Sequence, residues 1–227
     1  MSTPVDTTFS GRRLAAADRF VERITAACRR DAGAGQALRS ALGRTPVEAV
    51  RAHRYVAARL PDDPAPDLEW AHYTVAALVA QYEPRARPAK DRPHPADTDD
   101  QTMDGDDTGR PRTRQERLRT GCIGAVLGRL DADAATGSDN PEGPRAPRLH
   151  ALMREDLPGL HATLPGVMRL ACTSGRRPDW AVLLHDLTDW ERDSQRDATV
   201  LRWSSSYYKA LTAGSTPGTG DKNESEN

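Results

Sequence analysis

Apolar side chains recur along this chain at intervals of three and four, the spacing that keeps one face of a helix buried. From Gly11 to about Arg30 the recurring positions are Leu14, Phe20, Val21, Ile24 and Cys28, and the same face continues from about Gln36 to Leu42. Val47, Val50, Val56 and Leu60 predict a third helix that stops before Pro61, and Pro64 and Pro66 then mark a turn. A fourth helix over Leu68 to Tyr82 offers Trp70, Tyr73, Ala77, Leu78 and Tyr82 to a core, and Pro84 ends it.

Helical spacing resumes at about Arg114, with Leu118, Ile123, Val126, Leu127 and Leu130 on one side. Residues 131–147, rich in Gly, Pro and Asp, read as a loop. Leu149, Leu152 and Met153 follow, then Leu160, Leu164, Val167, Met168 and Ala171 at the spacing of a buried face. Trp180, Leu183, Leu184, Leu187 and Trp190 repeat the pattern, and Val200, Trp203, Tyr207 and Leu211 repeat it again. No alternating run predicts a sheet. The expected fold is all-α, about eight or nine short helices in two small helical bundles.

The segment between the two groups has a different composition. Residues 84–115 hold five prolines and no large aliphatic side chain, and residues 96–109 hold six Asp with no Lys or Arg. Nothing there offsets the entropy of ordering, so a solvated, disordered insertion is expected in preference to a nucleic-acid mimic. The predicted organisation is an N-terminal bundle over 10–83, the acidic Pro-rich insertion over 84–115, a C-terminal bundle over 116–211 and a disordered tail over 212–227.

Charge sharpens the contrast. The chain is −1 overall; with the six Asp and a tail of net −2 set aside, the body is left at +7. A mildly basic body suits an anionic partner. Of the 32 basic residues 29 are Arg, a ratio that GC-rich coding would also produce, although coding bias does not decide where arginines sit. Three scattered cysteines (Cys28, Cys122 and Cys172) fit packed thiols in a reducing compartment. The N-terminus has no apolar leader and no stretch is long enough to span a bilayer, so a cytoplasmic chain without a membrane partner is expected.

Catalytic chemistry is missing. The chain has no phosphate-binding glycine loop, no nucleophile elbow and no H-E-x-x-H pair. Its six histidines show neither i, i+4 pairing nor a cysteine at ligand spacing, so no metal or cofactor is expected. Ser206-Tyr-Tyr-Lys209 matches S-x-x-K without its companion motifs. His185, Asp186 and Asp189 could hint at a metal or nuclease site, but carboxylates flanking Leu187 are read as surface groups. The tryptophans at 180, 190 and 203 stand at core spacing and are read as packing rather than base-stacking residues.

The C-terminal third carries the most specific pattern: Asp179-Trp180 opening a helix, Leu183-Leu184-His-Asp186-Leu187 running toward Trp190, then Val200, Trp203 and Tyr207-Tyr208. Upstream stand Arg148-Leu149-His-Ala-Leu152, Thr120-Gly-Cys-Ile123-Gly124-Ala125-Val-Leu127 and Gln36-Ala-Leu38-Arg39. In order and spacing these segments resemble the CasB family, the small subunit of the type I-E CRISPR surveillance complex Cascade. The resemblance covers roughly 12–82 and 116–211.

It implies two helical bundles and a non-enzymatic role beside other Cascade subunits. There a pair of identical copies would hold guide RNA and target DNA while base pairing reads the sequence. Arg39, Arg148, Arg154, Arg169 and Arg192 match the family's basic positions and are the expected phosphate contacts, the planar guanidinium fork suiting phosphate oxygens. Arg44, Arg119, Arg129, Arg176 and Arg177 are secondary candidates from clustering alone. Ser40 and Ala125 stand where the family pattern often has arginine, which puts contact there in doubt. The competing reading is a stand-alone helical regulator or protein-interaction module; a metal-dependent nuclease ranks third.

Overall fold

In the computed structural model the described residues are 7–83, 112–134, 142–188 and 190–214, with side chains from Gly11 onward. Most of the acidic insertion, the centre of the 131–147 loop, Asp189 and residues 215–227 lie outside them. The described residues form ten α-helices and no strand, close to the eight or nine helices expected.

Four helices make the N-terminal group: α1 (Thr7–Arg30), α2 (Ala32–Arg39), α3 (His53–Val56) and α4 (Pro66–Tyr82). Six make the C-terminal group: α5 (Arg114–Thr120), α6 (Ile123–Ala134), α7 (Ala146–Arg154), α8 (Leu157–Thr173), α9 (Trp180–Leu187) and α10 (Asp193–Gly214). One apolar cluster runs through both, from Leu14, Phe20 and Ile24 through Tyr73 and Leu78 to Leu127, Leu164, Leu184 and Trp203. The three cysteines are free thiols, and burial raises the pKa of each.

Local chemistry sets the helix starts. The Asp31 side chain accepts from Gly33 N at 2.8 Å and caps α2, and Asp156 does the same for α8 through Gly159 N at 2.8 Å. Thr113 and Glu116 form a reciprocal capping box at the start of α5. Asp179 caps α9 through Ala181 N at 3.0 Å and Val182 N at 3.2 Å.

The structure departs from the expected elements in several places. α5 begins at Arg114 inside the expected insertion, α6 runs on to Ala134 and α7 starts at Ala146 inside the expected 131–147 loop, and α10 continues to Gly214 inside the expected tail. The predicted third helix is α3 flanked by three 3-10 turns, Pro46–Glu48, Val50–Ala52 and Ala57–Arg59. The tighter winding shifts the inward face onto Ala49, Ala52 and Val56 and leaves Val47 and Val50 83% and 68% exposed. The helix from Arg114 breaks at Gly121, whose carbonyl accepts from Asp179 N at 3.0 Å and thereby meets the start of α9. Trp190 is buried but stands beyond the end of α9; its indole N–H donates to Glu155 O at 3.1 Å.

The most extensive helix pairing among the described residues is α6 on α10. A Cβ on Gly124 would fall on the carbonyl oxygen of Trp203, and one on Gly128 on that of Tyr207. At this crossing only hydrogen fits. Across the two groups, α4 meets α8 through a buried pair: Thr74 Oγ1 lies 2.7 Å from His161 Nδ1, and the imidazole stacks on Trp70 at 4.9 Å.

Two stability predictions follow from these joints. Gly124→Ala forces α6 off α10 and should cost about 1–3 kcal/mol despite its better helix propensity. Gly166→Ala, on α8 with nothing within 4 Å of the added methyl, should instead gain up to ~1 kcal/mol. Thermal melts of the two variants should move in opposite directions, and a Gly124→Ala variant as stable as the parent would contradict the crossing.

Burial pushes the His161 imidazole down to about 3 from an ordinary 6.5. Above pH 6.5 neither state protonates it. Between there and about 3 the unfolded chain takes up a proton that the folded chain refuses, so stability falls as pH falls. The loss should approach ~1.4 kcal/mol per pH unit from this one group. Parallel melts at pH 7 and pH 5 should show a larger drop for the parent than for His161→Asn; equal drops would show that His161 carries no such linkage.

Candidate nucleic-acid interface

α7 and α8 run beside each other, and between them lies an open groove of about 530 Å³. Arg148 from α7 and Arg169 from α8 line it, with Thr163, Gly166, Val167 and Thr173. Both arginines are exposed, and among the described residues no carboxylate lines the groove. A comparable groove between α5, α6 and α10 includes Glu116 and Asp133 beside its basic groups. Uncompensated positive charge above a floor of small and hydroxyl side chains suits a phosphate backbone.

The far end of α7 is fixed by Trp190, in the turn that follows α9, and by Arg196 near the start of α10. Arg196 Nη2 donates to Glu155 O at 2.6 Å, and its guanidinium lies 5.3 Å above the Trp190 ring. Trp190 donates to the same carbonyl. This junction places exposed Arg154, the last residue of α7, on one element and exposed Arg192 on the turn anchored to it. Arg39 stands apart: it is half-buried, and its Nη1 donates to Ala80 O at 3.0 Å, tying α2 to the last turn of α4.

The secondary candidates divide in the same way. Arg44, Arg119 and Arg177 are exposed. Arg129 donates to Thr120 O at 3.0 Å, and Arg176 pairs with Asp133 at 3.0 Å. Ala125 is buried and faces the groove that Arg119 and Arg129 also line, so basic groups are present where the expected arginine is missing. Ser40 donates to Ala37 O at 2.7 Å and closes α2.

Three buried or half-buried ionic joints were not legible as such in the sequence. Asp186, expected at the surface, is buried: Arg202 donates to it, and so does the Trp203 indole at 2.7 Å. Asp131 has no exposed side-chain surface and accepts from the Arg145 backbone N at 3.0 Å, Arg145 Nη1 at 2.6 Å and the Tyr207 hydroxyl. Burial and this carboxylate push the Tyr207 hydroxyl pKa upward. Arg117 grips Asp18 of α1 at 2.8 and 2.6 Å and Asp179 at 2.5 and 3.0 Å. Among the described residues no group of three or more His, Cys, Asp or Glu could hold a metal. No described helix is long and apolar enough to cross a membrane.

The family model for CRISPR-associated protein Cse2 matches residues 36–208. The chain belongs to the Cse2 family. This is the CasB family of the sequence resemblance, and the match includes all five first-rank arginines. Two solved structures are similar to this Cse2-family chain. One, a chain of a CRISPR RNA-guided surveillance complex, is 26% identical with a TM-score of 0.60, over 88% of this chain and 96% of its own. Another, from such a complex in a pre-nicking state, is 25% identical with a TM-score of 0.61 over the same shares. No curated relative matches the chain.

The ionic joints give a direct test of whether Asp186 serves the fold. Asp186→Ala leaves Arg202 charged and largely buried, which should cost about 3–5 kcal/mol. The variant should melt far below the parent, while added Mg²⁺ leaves the parent's melt unchanged. A Mg²⁺-dependent rise in the parent that Asp186→Ala abolishes would return the carboxylate to a metal site.

Proposed function

We propose that this chain is a non-catalytic small subunit of the type I-E surveillance complex Cascade, binding guide RNA and target DNA through their backbones and stabilising the R-loop. The observation that carries the reading is the convergence of Arg148 and Arg169 on one carboxylate-free groove inside the family-matched span. Arg154, the last residue of α7, and Arg192, beyond the end of α9, are exposed and add two further basic groups to the C-terminal group. Arg39 acts first as a tie between α2 and α4, with its remaining donors available to a strand. Two copies sit side by side in the complex, and in sequence the acidic insertion over 84–115 joins the N-terminal and C-terminal helical groups.

Each arginine here supplies charge and forked donors to phosphate oxygens and reads no base, so binding is sequence-independent and salt-sensitive. The specificity belongs to guide pairing. The subunit's contribution is to lower the free energy of the opened state by holding the strands that opening exposes.

The test is to assemble the complex with guide RNA and measure affinity for matched double-stranded target at fixed salt, with the chain, without it, and with Arg148 and Arg169 both changed to Ala. Omission should weaken target binding. The double variant should assemble yet bind less tightly, its log K against log salt shallower by about 2, near 0.9 per lost phosphate contact. If omission changes nothing, or the chain never joins the complex, the interaction-module reading replaces this one.

A further inference from the structure

α1 lies ahead of the family-matched residues, and its outer face carries a pattern of its own. Arg12, Arg19, Arg23 and Arg30 follow one another at steps of seven, four and seven. At 3.6 residues per turn these steps bring all four within ~20° of a single line along the helix. With a rise of 1.5 Å per residue, the line is about 27 Å long.

All four arginines are exposed, and none is engaged in a hydrogen bond or ion pair among the described residues. Leu14, Ala17, Phe20 and Ile24, roughly 80–160° round the helix from the line, are buried in the core, so the row cannot rotate away. Of the helix's carboxylates among the described residues, Asp18 is held by Arg117, and Glu22 lies ~80° off the line.

We infer that this row is a second nucleic-acid contact, a track for one single strand laid lengthwise along α1. The inference rests on the proposed function and adds to it a surface separate from the α7–α8 groove. A straight row of guanidinium groups complements a linear polyanion, and the two carboxylates beside it, Glu22 and Glu83, line the groove at its Arg30 end. Ala15 and Ala16 leave the surface between the first arginines low, which admits close approach of a backbone. Among the described side chains, the exposed face of α1 offers no aromatic ring to stack a base and no amide to read one, so the contact is inferred to be with phosphates. A duplex presents two strands that curve away from a 27 Å row, and α1 has no second row of equal length to meet the other strand.

The test uses the isolated full chain and a fluorescent dT20 oligonucleotide, titrated across a salt series. The parent is compared with the fourfold Arg12/Arg19/Arg23/Arg30→Ala variant, its fourfold Lys counterpart and the Arg148→Ala/Arg169→Ala pair. The Ala variant should keep the parent's melting temperature, since its substitutions are on the surface. Its log K against log salt should be shallower by about 3, near 0.7 per single-strand phosphate. The Lys variant should stay close to the parent, and dT20 and dC20 should bind alike.

A fourfold Ala variant with the parent's affinity and slope ends the α1 track while leaving the groove intact. Absence of dT20 binding by the parent also ends it, and target binding by the assembled complex then judges the groove alone. A parent that prefers a 20-base-pair duplex, or a variant defective only toward polyglutamate, overturns the single strand as occupant.

Discussion

Gly124 and Gly128 bring α6 against the backbone of α10, and this contact determines where several large side chains must go. The stretch of α10 at this crossing carries Trp203 and Tyr207, both fully buried. Both carry a polar atom into the interior, and such an atom is costly unless paired. Asp186 meets the Trp203 indole and Asp131 meets the Tyr207 hydroxyl. Each carboxylate is in turn neutralised by an arginine, Arg202 for one and Arg145 for the other. One close helix crossing therefore fixes α9 through Asp186 and the approach to α7 through Arg145. Satisfying those polar groups sets the position of the α7–α8 pair on which the candidate interface stands.

The helices were legible in the sequence because burial enforces periodicity: the apolar positions Leu160, Leu164, Val167, Met168 and Ala171, and Trp180, Leu183, Leu184 and Leu187, are all buried in the structure. Val47 and Val50 misled because period alone cannot separate a 3-10 turn from an α-helix over so few residues, and the two windings present different faces. Trp190 kept its buried place while leaving its helix: apolar spacing reports that a side chain goes inward, and the Glu155 carbonyl that receives its indole lies 35 residues away. Asp186 failed for a related reason. A carboxylate beside a leucine reads as surface until its partner, 16 residues downstream, is seen to fold over it.

Arginine was the hardest residue to read. Equal in sequence, the candidates separate in the structure by what they already touch. Arg39, Arg129 and Arg176 have acceptors within their own chain, whereas Arg148 and Arg169 face an open groove without carboxylates. Family pattern placed both kinds in one set because a pattern records where arginine occurs and is silent on whether its donors are spent. Arg117 shows the limit: its fork is filled on both edges by Asp18 and Asp179, and its work is to clamp α1 to α9.

The same criterion explains why a chain with a net charge of −1 can still present a locally basic surface. Binding depends on local fields within about a Debye length, ~10 Å at moderate salt, and total charge is averaged over distances at which it is screened. Carboxylates such as Asp131 and Asp186 count fully in the total, yet their charge is matched within 3 Å by Arg145 and Arg202 and contributes little outside. What reaches a strand is the field of cations that have no such partner. By that measure Arg148 and Arg169, in a groove with no carboxylate among its described lining residues, set a positive local field there whatever the sum over the chain, and salt screens such a field far more than it changes net charge.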